Sequence, residues 1–261
     1  MDDLRLFDMH CHLDDFDDPP AVARELAALG VGTLAVTTTP RKYGLARDLA
    51  KMEGVWLAPG LHPWQFGEYA FDPNQVDDLL NLVGENRFVG EIGLDFYERH
   101  APESSWNAQR HALLRIFQAC AEASDPQSPH VLSIHSVRAA GEVLDLLERT
   151  GCDKRCRCIF HWFSGSTDEL WRAIRMGCWF SCGPHMMKVK RSREYVKLIP
   201  ATRLLLETDY PPHDHWASPA AWAAEVRDAL LSAAASIAAA RGSAAEEIMG
   251  LARKNSLALL G

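Results

Sequence analysis

No apolar run in this chain approaches the roughly 20 residues that a membrane-spanning helix needs. That absence excludes an integral helical membrane protein. Basic residues are in deficit: 27 Lys and Arg stand against 35 Asp and Glu, for a net charge of −8. A broad cationic surface for nucleic acid is therefore not expected. An anionic substrate remains compatible, because divalent cations reverse the field in a cleft. No Gly-x-Gly-x-x-Gly follows a strand-like run, so a dinucleotide-binding fold has no support. No Gly-x-Ser-x-Gly elbow surrounds Ser133, Ser136 or Ser164, which argues against a Ser-His-Asp hydrolase. The start, Met1-Asp2-Asp3-Leu4-Arg5, has neither the basic opening nor the apolar stretch of a signal peptide. A cytoplasmic location without a membrane partner is the expectation.

The seven cysteines are an odd number, and a reducing compartment keeps them as thiols. Cys152, Cys156 and Cys158 cluster in what reads as a turn, without an evident fourth zinc ligand, so they are read as structural or incidental. Cys11 lies between His10 and His12. On a strand its side chain faces away from theirs, which predicts core packing.

What is present is an alternation of strand and helix. Of the 261 residues, 48% are hydrophobic and 24% charged, as in a globular enzyme. Strand-like runs cover Leu6–His12, Val31–Thr39, Val55–His62, Phe88–Leu94, His130–Ser136, Cys158–Phe163, Cys178–Gly183 and Arg203–Asp209. Amphipathic stretches separate them, among them Pro20–Leu29, Ser105–Ala123, Ala139–Arg149 and Asp168–Met176. Eight such units predict a single (β/α)8 barrel over residues 1–261. The Ala-rich stretches Ala220–Ala240 and Ala244–Leu260 predict packing helices that close it, the last an additional C-terminal helix.

Active sites of such barrels lie at the C-terminal ends of the strands. His10, His12, His62, Glu91, His135, His161 and Asp209 all fall there. His10 and His12, at i and i+2, share one face of a strand. Glu91 lies in Val89-Gly90-Glu91-Ile92-Gly93-Leu94-Asp95, where glycines permit close backbone approach. A carboxylate buried in an apolar strand is costly unless it is paired or coordinates a metal. Four imidazoles (His10, His12, His135, His161) and two carboxylates (Glu91, Asp209) suit two divalent ions that share a bridging carboxylate. His10, His12 and Asp209 would hold one ion, and His135 and His161 the other, with Glu91 between. Asp209 would also take a proton from the attacking water. The mixed N and O set does not separate Mg²⁺, Mn²⁺ and Zn²⁺. His62, in Gly60-Leu61-His62-Pro63, reads as a substrate or ligand-orienting residue, with an idle turn histidine as its alternative. Asp95 reads as a loop or supporting residue, and Glu207 as a structural or orienting one. His213 and His215 either rim the site or are merely solvated.

These segments, together with Ile134-His135-Ser136, His161-Trp162-Phe163-Ser164-Gly165 and Glu207-Thr208-Asp209, resemble the TatD family of metal-dependent deoxyribonucleases, in order and over nearly the whole chain. The resemblance implies a two-metal hydrolase whose ligands are His10, His12, Glu91, His135, His161 and Asp209. It also implies a DNA substrate and 3′-to-5′ exonuclease chemistry. The segments at Thr37–Pro40, His161–Gly165 and Trp179-Phe180-Ser181 look similar to the TatD-like component of the Qat anti-phage defence system, which would make other defence proteins its partners. One departure stands out. The family often has arginine directly after Ile-His-Ser; here Val137 fills that place and Arg138 follows, so a substrate contact falls to Arg138 in a shifted pose or is absent. The one dense basic run, Lys188-Val189-Lys190-Arg191-Ser192-Arg193, follows strand seven. Lys188 and Lys190 are read there as phosphate contacts, against the bland alternative of a solvated loop. The rival enzyme class is a metal-dependent amidohydrolase acting on an ester, amide or lactone. Some of those barrels use a carbamylated lysine as the bridge, and strands four and five offer none. A catalytically idle scaffold is the rival of a different kind, and the complete ligand set argues against it.

Overall fold

The computed structural model describes residues 3–67, 72, 74–211 and 217–261. Its eight strands are β1 Leu6–Cys11, β2 Val31–Val36, β3 Val55–Ala58, β4 Phe88–Asp95, β5 Val131–Val137, β6 Arg157–His161, β7 Trp179–Cys182 and β8 Leu204–Leu206. Each falls on one of the expected runs. Strands two, three and eight stop earlier than the apolar pattern suggested, at Val36, Ala58 and Leu206. Pro59 lacks an N–H for a ladder, and Asp209 adopts a positive φ of 61° that no strand permits.

Helices Pro19–Ala28, Glu103–Ala123, Ala140–Thr150, Thr167–Arg175, Pro219–Arg241 and Ala245–Leu260 match the amphipathic stretches within a few residues. Their ends follow local chemistry. Asp18 caps the first helix by accepting from the Ala21 amide at 3.0 Å. Ser166 and Glu169 form a capping box at the start of Thr167–Arg175. One reading is corrected here: Cys152, Cys156 and Cys158 are not in a turn. Cys152 opens a short helix, Cys152–Arg155, Cys156 caps it, and Cys158 lies in β6. All three are buried free thiols.

The chain packs as two compact units. The first comprises Met1–Ala35, Leu45–Leu57 and Phe180–Gly261. In it β1 pairs parallel with β2, and β7 with β8. The β1 register runs Asp8↔Thr33 and then Cys11↔Ala35, so Met9 and His10 stand opposite Leu34 alone. This is a β-bulge, which bends a strand and re-aims a side chain. The terminal helices bury Trp222, Val226, Leu230, Ile237, Ile248 and Leu259. Asn255 ties the last helix to the entry of β8, donating to the Ala201 and Leu204 carbonyls at 2.8 Å each.

The second unit comprises Val36–Gly44 and Ala58–Trp179. Here β4, β5 and β6 pair parallel in that order. Nearly every residue of these strands is buried, as expected when both faces of a parallel sheet are covered. Phe117, Phe160, Phe163, Ile92 and Leu94 are among its fully buried side chains. A second bulge interrupts β4: Val89 pairs with Leu132 and Ile92 with Ile134, leaving Gly90 and Glu91 opposite Ser133. The glycines permit this. A Cβ on Gly90 would lie 2.8 Å from the Ser133 Cβ, and one on Gly93 only 2.0 Å from the His135 carbonyl oxygen.

Gly93 also has φ of 149°, a region that essentially only glycine occupies. Gly93→Ala should therefore destabilise the protein by about 2 kcal/mol or more. The urea midpoint and slope measure this. A destabilisation below about 0.5 kcal/mol, the size of an ordinary surface change, would contradict the packing described.

Candidate metal centre

In the second unit, Glu91 is carried by the bulge of β4 and is only 2% exposed. Three imidazoles surround one of its oxygens. From Oε1, His135 Nδ1 is at 2.7 Å, His161 Nε2 at 2.8 Å and His62 Nε2 at 3.3 Å. The His135 and His161 nitrogens are themselves 3.2 Å apart. Each imidazole comes from the C-terminal end of a different strand or the segment just after it. His62, His135 and Glu91 offer ligand atoms that all lie within 4.8 Å of one another. His62 thus joins the donor group itself.

Asp95, the last residue of β4, stands behind His135. It is fully buried and collects donors. Its Oδ2 lies 2.7 Å from Trp64 Nε1, 2.9 Å from His100 Nδ1 and 3.3 Å from His135 Nε2. Its Oδ1 accepts from the Tyr97 amide at 2.9 Å. Burial disfavours charge on Asp95, but the bonds from His135 and Trp64 outweigh it and hold its pKa at about 2. Burial likewise disfavours charge on His135, but Asp95 and Glu91 on its two nitrogens outweigh it and raise its pKa to about 9. Without a metal, His135 is a cation at neutral pH.

The first unit carries the other expected ligands. His10 Nε2 and His12 Nε2 lie 3.6 and 3.4 Å from Asp209 Oδ1. Their rings stand edge to face, with centroids 5.3 Å apart. They converge by a different route from simple strand alternation: His10 sits in the β1 bulge, and His12 lies just past the strand. The Asp209 amide donates to the His10 carbonyl at 2.9 Å, and the His12 amide to the Tyr210 carbonyl at 2.8 Å. These bonds fix the two segments against each other. Beneath them Asp8 is fully buried. It accepts from the amides of His10 at 3.2 Å and Thr208 at 3.0 Å, and from the Thr208 hydroxyl at 2.5 Å. Burial raises its pKa to about 7 despite those bonds. Glu207 takes the Ser181 hydroxyl, a positioning contact of the kind expected of it.

Arg138 is exposed, has a positive φ of 53°, and lies with its guanidinium carbon 4.3 Å from the Tyr97 ring centroid. Lys188 and Lys190 are exposed, one ending the helix Pro184–Met187 and the other opening Lys190–Leu198. His213 and His215 lie outside the described residues. Sequence reasoning missed Trp64, Tyr97 and His100. The signal available was their clustering within a few residues of His62 and Asp95.

Imidazole nitrogens and a carboxylate oxygen within coordinating reach are a donor set that suits Zn²⁺ or Mn²⁺, and carboxylates suit Mg²⁺. The residues fit a metal. The family described as TatD related DNase matches this chain over residues 7–261. The chain belongs to the TatD family. One relative, the uncharacterized metal-dependent hydrolase YcfH of Escherichia coli K12, is 30% identical over 218 residues, covering 79% of this chain and 77% of the relative. The 3′-5′ ssDNA/RNA exonuclease TatD of Citrobacter rodentium is 29% identical over 199 residues, covering 75% and 72%. Among solved structures, YJJV, a TatD homolog from Escherichia coli K12, aligns at a TM-score of 0.78 and 23% identity over 98% of this chain and 97% of that one. The fold is thus the TatD-type (β/α)8 barrel. No helix among the described residues is long and apolar enough to cross a membrane.

A metal held by His135 in this TatD-family chain would displace its proton. Metal affinity should therefore rise with pH up to about 9, where the free His135 loses its proton. Asp95→Asn should lower the pH at which affinity levels off and, above it, weaken binding by about 10–100-fold. Calorimetric titration across pH measures both. A pH-independent affinity in the wild-type protein would contradict the charge state assigned to His135.

Proposed function

We propose that this chain is a metal-dependent phosphodiesterase that removes nucleotides from the 3′ end of DNA. The observation that carries the reading is the convergence of His62, His135 and His161 on one oxygen of the buried Glu91. Membership of the TatD-related DNase family and the exonuclease named among its relatives support the substrate and polarity. The whole chain acts as one catalytic domain. The ligand set is His10, His12 and Asp209 for one divalent ion, His135 and His161 for a second, and Glu91 as the bridge, with Mg²⁺, Mn²⁺ or Zn²⁺ as candidates. Bound ions would supply Lewis acidity toward the phosphoryl oxygens and acidify the attacking water. His62, beside Glu91, orients that carboxylate or the phosphate. Asp209 Oδ1, already within reach of two imidazoles, takes the proton of the attacking water. Arg138 and the lysines Lys188 and Lys190 meet backbone phosphates. A place in an anti-phage defence system, beside its other proteins, belongs to the same proposal and rests on the likeness of three short segments to the Qat component.

Glu91→Ala should lower the rate more than tenfold, a barrier increase above about 1.4 kcal/mol, while leaving the far-ultraviolet spectrum unchanged. Excess EDTA should stop hydrolysis, and Mn²⁺ or Mg²⁺ should restore it. A 3′-labelled single strand should release mononucleotides, and a circular strand should stay intact. Hydrolysis of small esters or lactones, with no attack on DNA under the same conditions, would move the chain to the amidohydrolase class.

Neutralising Lys188 and Lys190 together should raise the Kd for a single strand regardless of its sequence. The slope of log K against log salt should flatten by about 0.7 for each phosphate that is no longer neutralised. Turnover at saturating substrate should stay near the wild-type value. An unchanged slope would return these lysines to an ordinary solvated helix start.

A further inference from the structure

The rim beside Glu91 and His135 carries an exposed aromatic that ligand chemistry does not require. Trp64 is 38% exposed, yet its indole N–H is committed to the buried Asp95 at 2.7 Å. That same Asp95 oxygen lies 3.3 Å from His135 Nε2. One carboxylate thus positions an outward-facing ring and one of the imidazoles at Glu91. His62 and His100 flank the indole, with ring centroids 4.8 and 4.9 Å away. Tyr97 continues the surface, 4.7 Å from His100. Over Tyr97 lie two guanidiniums, Arg138 at 4.3 Å and Arg99 at 5.9 Å. Arg138 holds this pose on a backbone with φ of 53°, a conformation that costs free energy in a non-glycine residue. Strain of that kind persists where the surroundings impose it, commonly at ligand sites.

An anchored ring with cations beside it matches the chemistry of a splayed nucleobase and its neighbouring phosphate. Base stacking on aromatic side chains recurs where proteins hold single strands, and it tolerates sequence because every base has a π-face. We propose that Trp64, together with Arg138 held on Tyr97, forms a subsite for one unstacked nucleobase at the strand end and for the phosphate next to it. This rests on the nuclease reading above and adds the residues that select the substrate. A base inside a duplex is stacked on both faces and has to be pulled out before it meets the indole. Trp64 therefore favours unpaired ends through geometry, without reading sequence. It is a positioning residue: the bond to Asp95 fixes the ring relative to His135, and so fixes the base relative to the bond to be cut.

The test compares 5′-fluorescein oligodeoxynucleotides that carry an abasic residue at the last or the penultimate position with the unmodified strand. Kd by anisotropy in EDTA and KM and kcat in Mn²⁺ are measured for wild type, Trp64→Phe and Trp64→Leu. For wild type, one of the two abasic strands should bind roughly tenfold more weakly than the unmodified strand. Trp64→Leu should lose about the same factor on the unmodified strand and become indifferent to the abasic position. Trp64→Phe, which stacks but cannot donate to Asp95, should keep most of the discrimination with a lower kcat. Wild type that binds and cleaves all strands alike overturns the subsite while leaving the nuclease reading in place. Wild type that neither binds nor cleaves any strand, while hydrolysing another substrate, overturns both. The abasic series on wild type decides the matter even if Trp64→Leu fails to fold.

Discussion

Burying a carboxylate without matching donors is costly, and Glu91 has only 2% of its surface exposed. The arrangement of the second unit around it follows from that constraint. His62, His135 and His161 come from separate strand ends to a single Glu91 oxygen. Those nitrogens need fixing in turn. Asp95 does this for His135, and Trp64, His100 and the Tyr97 amide satisfy Asp95. The charges balance only as a group. His135 stays protonated up to about pH 9 because two carboxylates flank it. A divalent cation entering such a set replaces a proton and meets ligands already gathered, which lowers the ordering cost that an unformed site would impose.

The backbone is shaped for the same end. Two bulges stand out among the described strands, in β1 and β4, and each contains an expected ligand, His10 in one and Glu91 in the other. A bulge aims a side chain in a direction that regular alternation does not allow. Among the described residues, the non-glycine positions with positive φ are Arg138, Trp162 and Asp209. Arg138 directly follows β5, Trp162 directly follows β6, and Asp209 lies just past β8. Each such conformation costs on the order of 1–3 kcal/mol. Conformational strain is thus concentrated at the strand ends that carry the imidazoles and carboxylates, while the strands themselves pack apolar side chains on both faces.

Much of this was legible in the sequence, for physical reasons. Apolar runs closed by a lone polar residue mark strand ends, and the glycines about Glu91 announced the close approach now seen at Gly90 and Gly93. The bulges were not legible. Reading His10 and His12 as an i, i+2 pair on a regular strand gave their convergence on one group but missed its geometry, because bulges leave no residue signature there apart from glycine. Asp95 was legible only as a supporting residue, since nothing in Leu94-Asp95-Phe96 reveals that Trp64 and His100 meet it. Those contacts link residues 31 and 5 positions away through tertiary packing. The cysteine cluster misled for the opposite reason: its spacing suggested a turn, but Cys152–Arg155 forms a short helix that β6 follows after one residue.

The net charge of −8 stands in tension with a nucleic-acid substrate. The local charges resolve that conflict. At the Glu91 group a protonated imidazole already faces two carboxylates, and divalent ions in place of its proton would make the neighbourhood positive. In the second unit Arg138 and Arg99 gather over Tyr97; in the first, Lys188 ends one short helix and Lys190 and Arg191 open the next, all three exposed. Under the proposed nuclease reading, a strand end asks for only a few such contacts and offers an unpaired base to stack.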